Sequence, residues 1–174
     1  MSCNLGSLDI HKATQSPSFE ELIDTSMRLL TQVSIMTNIN NVPSVAKGNK
    51  LMHSVGLGVM NLHGHLVTQG ITYGSPESIE FIDRFMEATN FYSLKSSMLT
   101  AKERNETFFG FEKSEYANGN YFEQYIHKQD SSPSKKVKNA LGNVPVITSE
   151  MWKQLKEDVM KYGVYNSYRL AIAP

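Results

Sequence analysis

The residues able to do covalent or acid–base chemistry are few, and their spacing narrows what they can do. The 174-residue chain has one cysteine, Cys3, and five histidines. A thiol reacts as its thiolate, so a cysteine is active only where exposure and nearby positive charge favour ionisation. A lone cysteine is more often a small inert side chain. One cysteine also excludes an internal disulfide and any metal site built on several thiolates. His63 and His65 are two apart, and on a helix their side chains diverge by about 200° and cannot share a metal. His53 lies nearly three turns from His63, so no metal is expected. Gly56-Leu57-Gly58-Val59-Met60-Asn61 carries two glycines of a dinucleotide-binding loop. The third is missing, no strand is expected before it, and no acidic residue on a second strand follows. Close backbone packing accounts better for these glycines. Lys135, Lys136 and Lys138 read as a solvated face rather than a phosphate site. There is no nucleophile elbow, phosphate loop or paired-carboxylate pattern.

The whole chain bounds the partners. Seventeen Lys and Arg balance seventeen Asp and Glu, so no general attraction to nucleic acid or an anionic membrane is expected. Apolar residues make up 40% and mean hydropathy is −0.33, which fits one polar-surfaced domain with a core. No charged-then-apolar leader is seen and no apolar run is long enough for a bilayer, so a cytoplasmic protein is expected.

The elements that must position any site are mostly helical. Leu5 to Ile10 alternates as a short strand. Ser18 with Glu21 forms a capping box for a helix to about residue 37, whose apolar face is Leu22, Met27, Leu29, Leu30, Val33 and Met36. Asn38 to Pro43 ends it. Leu51, Val55, Val59, Leu62 and Leu66 recur every three or four residues and predict one buried helix from Leu51 to about Val67. The glycines inside it then call for close approach of another backbone. Ser75-Pro76-Glu77 starts a helix with no Gly or Pro to about Arg104, so apolar that it must pack on two sides. A short aromatic helix is expected over 121–126, a weak one over 135–141, and a clear one over 150–162 that Thr148 or Ser149 caps and Gly163 ends. Tyr165 to Ala173 reads as a buried strand. Strand signals thus sit only at the two ends.

Five stretches in order carry a family resemblance: Ser2-Cys3-Asn4-Leu5-Gly6-Ser7-Leu8, Val55 to Gly64, Tyr73-Gly74-Ser75-Pro76-Glu77, Phe109 to Gly119, and Gly163-Val164-Tyr165-Asn166. Together they resemble the large, catalytic subunit of class Ib ribonucleotide reductase, over essentially the whole chain. The resemblance implies an α/β fold: a mainly helical part of a ten-stranded α/β barrel, with short strands at both ends. It implies reduction of ribonucleoside diphosphates to deoxyribonucleotides for DNA synthesis. Cys3 matches the second cysteine of the redox pair that supplies hydrogen and electrons and closes as a disulfide. Pro174 matches the proline that opens the loop binding the substrate phosphates.

The same resemblance implies what accompanies this chain. The radical-bearing finger loop, the first redox cysteine, the allosteric region and the later strands of the family pattern have no counterpart here. Residues 1–174 are therefore expected to be a partial barrel domain, truncated at both ends, from a split or interrupted gene, and inactive alone. No cofactor is expected on the segment itself. The full enzyme implies a tyrosyl radical and dimetal centre on a small subunit, a thioredoxin- or glutaredoxin-like reductant, and the remaining parts of the large subunit. A non-catalytic remnant or assembly piece is the alternative.

Overall fold

The computed structural model describes residues 4–37 and 39–172. Its sheet is built on two parallel strands, β1 (Asn4–Asp9) and β2 (Val55–Met60), in register from Asn4 opposite Val55 to Asp9 opposite Met60. Residues 168–171 run along the other side of β2. The Val55 N–H donates to the Tyr168 carbonyl at 3.0 Å, the Leu57 N–H to the Arg169 carbonyl at 2.8 Å, and the Ala171 N–H to the Leu57 carbonyl at 3.2 Å. β2 is therefore the central strand. Its first four residues are buried on both faces, whereas β1 leaves Leu5 and Ser7 exposed.

This corrects the single helix expected from Leu51 to Val67. The stretch is the end of helix α3 (Pro43–Met52), then β2, then a short helix α4 (Leu62–Thr68). A spacing of four is also two steps of a strand's alternation, so Val55 and Val59 fit both periods. The glycines decide it. A Cβ on Gly58 would strike the Ala171 carbonyl oxygen, so the backbone approach that the glycines require is made by a neighbouring strand rather than a helix. Pro43, which ends the preceding segment, also opens α3, where a missing N–H costs nothing.

The long helices follow their sequence signals. Short helix α1 (Ile10–Ala13) leads to helix α2 (Phe19–Met36), which starts where the Ser18 hydroxyl accepts the Glu21 N–H at 3.2 Å. Its buried stripe is Phe19, Ile23, Met27 and Thr31, one residue in four. The broader face expected from Leu22 to Met36 is corrected: Leu29, Val33 and Met36 are exposed. Helix α5 (Pro76–Arg104) begins at Ser75, whose hydroxyl accepts the Ser78 N–H at 3.3 Å. At 29 residues it is about 44 Å long. It is buried on several sides, as its composition requires. Helix α2 covers one side, and α7 (Lys135–Leu141) and α8 (Ser149–Tyr162) cover another. Between them, α6 (Asn120–Ile126) packs on α8. Trp152 of α8 is fully buried, with its ring stacked 4.0 Å from Tyr125 and edge-on to Phe91 at 5.0 Å. Each such large side chain contributes about 1.5–3 kcal/mol by leaving water.

The C-terminal strand is only partly as expected. Residues 168–171 are extended along β2, but the ladder is a single bridge, Leu57 to Leu170. The segment is not uniformly buried either: Tyr165, Asn166 and Arg169 are, while Tyr168 and Ile172 are exposed.

Candidate functional site

Both sequence-predicted site residues, Cys3 and Pro174, lie outside the described residues, as does Asn38. What is described is the framework that adjoins them in the chain. Asn4 begins β1 opposite Val55, and Leu170 stands level with Leu57. With about 3.3 Å per residue along a strand and 4.8 Å between strands, Asn4 and Ile172 are about 16 Å apart. One further detail sits at the Cys3 side. The Asn4 Nδ2 is buried with no hydrogen-bond partner among the described residues, a state that costs about 1–3 kcal/mol.

Behind the central strand, one side chain, Asn166, gathers several elements. Its Oδ1 accepts the Ser97 hydroxyl at 2.8 Å and its own N–H donates to Ser97 Oγ at 2.9 Å. Its Nδ2 donates to the His53 carbonyl at 2.7 Å and to Thr31 Oγ1 at 3.1 Å. One buried amide therefore joins α5, α2, the start of β2 and the C-terminal segment. Beside it, the Ser54 and Ser167 hydroxyls meet at 2.9 Å. At the opposite ends of the strands, Asp9 accepts the Lys12 N–H at 3.0 Å and the Asn61 side-chain amide at 3.1 Å. These bonds tie the ends of β1 and β2 together. The Lys12 N–H first, then Asn61, hold the Asp9 carboxyl below its usual range.

The histidines hold structural positions, and two of them, His11 and His65, are paired. His53 closes α3 in a left-handed conformation, φ 48°. Its ring stacks on Tyr165 at 4.1 Å and lies 3.3 Å from the Glu106 carboxylate. Burial lowers its pKa, and Glu106 offsets only part of that. His65 is buried, with Nε2 3.0 Å from the Ala140 carbonyl and Nδ1 3.2 Å from Nδ1 of His11. A carbonyl only accepts, so His65 carries its proton on Nε2 and receives a hydrogen bond at Nδ1. His11 must then carry its proton on Nδ1 and accept from Gln15 at Nε2, 3.2 Å away. His63 stands apart against Tyr73. Among the described residues, no group of three or more His, Cys, Asp or Glu side chains can hold a metal ion.

The remaining sequence candidates resolve plainly. Gly56 and Gly58 lie within β2 and not at a strand-to-helix turn, so they serve packing and form no phosphate loop. Of the lysine cluster, Lys136 donates to the Gly70 carbonyl at 2.6 Å and all three are exposed. Sequence reasoning missed Asn166, His65 and Arg169 as buried polar anchors. Their partners come from positions 31, 53, 90, 97 and 140, and no local pattern signals such distant pairings. No helix among the described residues is long and apolar enough to cross a membrane.

Comparison with known proteins bears on the same framework. The family model described as "Ribonucleotide reductase, barrel domain" matches residues 1–174. The ribonucleoside-diphosphate reductase subunit alpha of Bacillus subtilis is 45% identical over 174 residues, all of this chain and 25% of that protein. The nrdEB subunit alpha of Bacillus phage SPbeta is likewise 45% identical, the match covering 16% of its length. The subunit alpha of Mycoplasma pneumoniae is 40% identical over 180 residues, again 25% of that protein. The chain thus spans a quarter or less of the relatives it matches. With a barrel-domain match from the first residue to the last and an α/β framework of parallel strands backed by helices, the chain belongs to the ribonucleotide reductase barrel-domain family.

Proposed function

We propose that this chain is a segment of the catalytic barrel of a class Ib ribonucleoside-diphosphate reductase alpha subunit. The observation that carries the reading is the barrel-domain match over residues 1–174, joined to 45% identity along the whole chain with a subunit alpha four times its length. In this reading the segment helps reduce ribonucleoside diphosphates to deoxyribonucleotides in the cytoplasm. Cys3 is the second redox cysteine. It gives up a hydrogen and an electron pair shared with a partner thiol, and the two sulfurs close as a disulfide that an external dithiol resets. Pro174 leads into the loop that holds the substrate diphosphate on backbone N–H groups.

The described framework suits that role. β1 and the 168–172 segment flank the same central strand, so one rigid unit carries the approaches to both Cys3 and Pro174. Residue positioning of this kind matters because a misplacement of about 1 Å costs about 100-fold in rate. The remaining parts of the large subunit, a radical-generating small subunit with its dimetal centre and tyrosyl radical, and a glutaredoxin-like reductant complete the enzyme. The 174-residue chain alone is inactive in this reading, since one thiol cannot form the intramolecular disulfide.

The experiment is complementation. The chain is combined with the flanking parts of the subunit and the small subunit, and deoxynucleotide formation from CDP is measured with Cys3 and with Cys3→Ser. Activity that disappears in the Cys3→Ser assembly is expected. Turnover by the chain alone, or full turnover with Cys3→Ser, would overturn the reading.

A further inference from the structure

Among the described residues two arginines are buried, and only one of them has a counter-ion. Arg84 faces Glu87 at 3.7 Å. Arg169 is 6% exposed, yet its guanidinium meets only neutral acceptors. Nη1 donates to the Tyr116 hydroxyl at 2.9 Å, Nη2 to Asn90 Oδ1 at 3.0 Å, and Nε to Ser93 Oγ at 3.4 Å. The Tyr116 ring lies 5.3 Å from Cζ. A guanidinium has five N–H donors, so two remain for another partner. No carboxylate among the described residues pairs with it. A cation withdrawn from water without a counter-ion is costly.

Beside this group is an open hollow of about 510 Å³, within the size range of small-molecule sites. Arg169 lines it together with Phe108, Tyr116, Tyr121 and Leu170, and Glu115 lines it too. We propose that this hollow binds a small organic carboxylate with an apolar stem, its carboxylate seated on Arg169. The planar guanidinium presents its Nη hydrogens as a fork that matches a carboxylate bidentately. The aromatic and aliphatic walls accept the stem. Glu115, exposed and negative, disfavours a multiply charged phosphate more than a singly charged carboxylate. The site is built from residues other than Cys3 and Pro174 and does not depend on the reading given above for them.

The test is calorimetric titration of the full chain with sodium benzoate, with benzamide and inorganic phosphate as controls. Saturable benzoate binding is expected, with benzamide about tenfold weaker or worse because it lacks the charge. Arg169→Gln abolishes binding, and Arg169→Lys, which keeps the charge but not the fork, weakens it about tenfold. Glu115→Gln strengthens benzoate about two- to threefold by removing the repelling carboxylate. Absence of saturable binding, equal binding of benzamide, tighter binding of phosphate, or binding retained in Arg169→Gln overturns the proposal. If Arg169→Gln does not fold, Glu115→Gln decides alone. Tighter benzoate binding there supports the site; unchanged binding, which sets the ligand away from Glu115, overturns it, and so does loss of the fold, which makes Glu115 the native counter-ion.

Discussion

At the scale of single residues, the His11–His65 pair is the most constrained titratable element described. Its hydrogen bonds allow one arrangement of protons, with His65 neutral between a carbonyl and a second imidazole. Burial first, and His11 next, push the His65 pKa below its usual value; the Ala140 carbonyl and Asp9 oppose them without winning. A histidine held neutral in the fold and free to protonate when unfolded contributes stability above its unfolded pKa. That stability is lost as pH falls below about 6.5. Unfolding by urea at pH 7.5 and pH 5.5 should therefore show a fall in stability on acidification, and His65→Gln should remove part of it. Burial also depresses His53, so some acid sensitivity survives in the variant. An identical fall in wild type and His65→Gln would refute the assignment. None of this was visible in the sequence, where His65 is one of two histidines that cannot share a metal. The partner that sets its proton lies 75 residues away.

At the scale of elements, the helices with complete local signals were read correctly. Helix α5 has a cap, a first-turn proline and no breaker, and its bounds follow from those signals alone. Helix α8 follows from Thr148, whose hydroxyl caps it, and α7, expected only weakly, starts at a Ser134 cap that the structure reveals. β2 failed because its identity is settled by a neighbour. Gly56 and Gly58 disfavour a helix only mildly, and the argument for a strand is the backbone of residue 171 lying against position 58. The three glycines of this sheet region make that testable. A Cβ on Gly6 meets only the flexible end of Leu30, at 3.4 Å, so Gly6→Ala is expected to change stability by less than about 1 kcal/mol. Gly58→Ala must move a paired strand and should cost about 2–4 kcal/mol. Equal midpoints for the two variants in denaturant titrations would show that the close approach at Gly58 is not limiting. The proposed site residues were legible only through the family resemblance. Cys3 and Pro174 have no local chemistry that marks them, and the described structure adds the framework between them.

At the scale of the whole molecule, one face stays apolar and uncovered. Leu29 is 62%, Val33 51% and Met36 73% exposed along one side of the second half of α2. The chain spans a quarter of its Bacillus subtilis relative, and this face is where the proposed remainder of the subunit would pack. Substituting Leu29 and Met36 together by Gln should leave stability within about 0.5 kcal/mol, because neither side chain is in the core. The same change is expected to weaken assembly with the flanking parts in the complementation mixture by tenfold or more, as read by size-exclusion chromatography. A double variant that assembles as well as wild type would show that the face is not an assembly surface.

The placement of β2 between a strand before it and a segment more than a hundred residues after it has a consequence in time. Parallel pairing across such separations makes folding slow, because chain closure must be achieved before contacts repay it. At a synthesis rate of about 5–20 residues per second, β2 waits roughly 5–20 s for residues 168–171 to be made. During that interval the N–H groups of Val55 and Leu57 lack the carbonyl partners they will finally have, and the central strand is temporarily an edge. The most buried strand of the fold thus spends much of its synthesis as an edge.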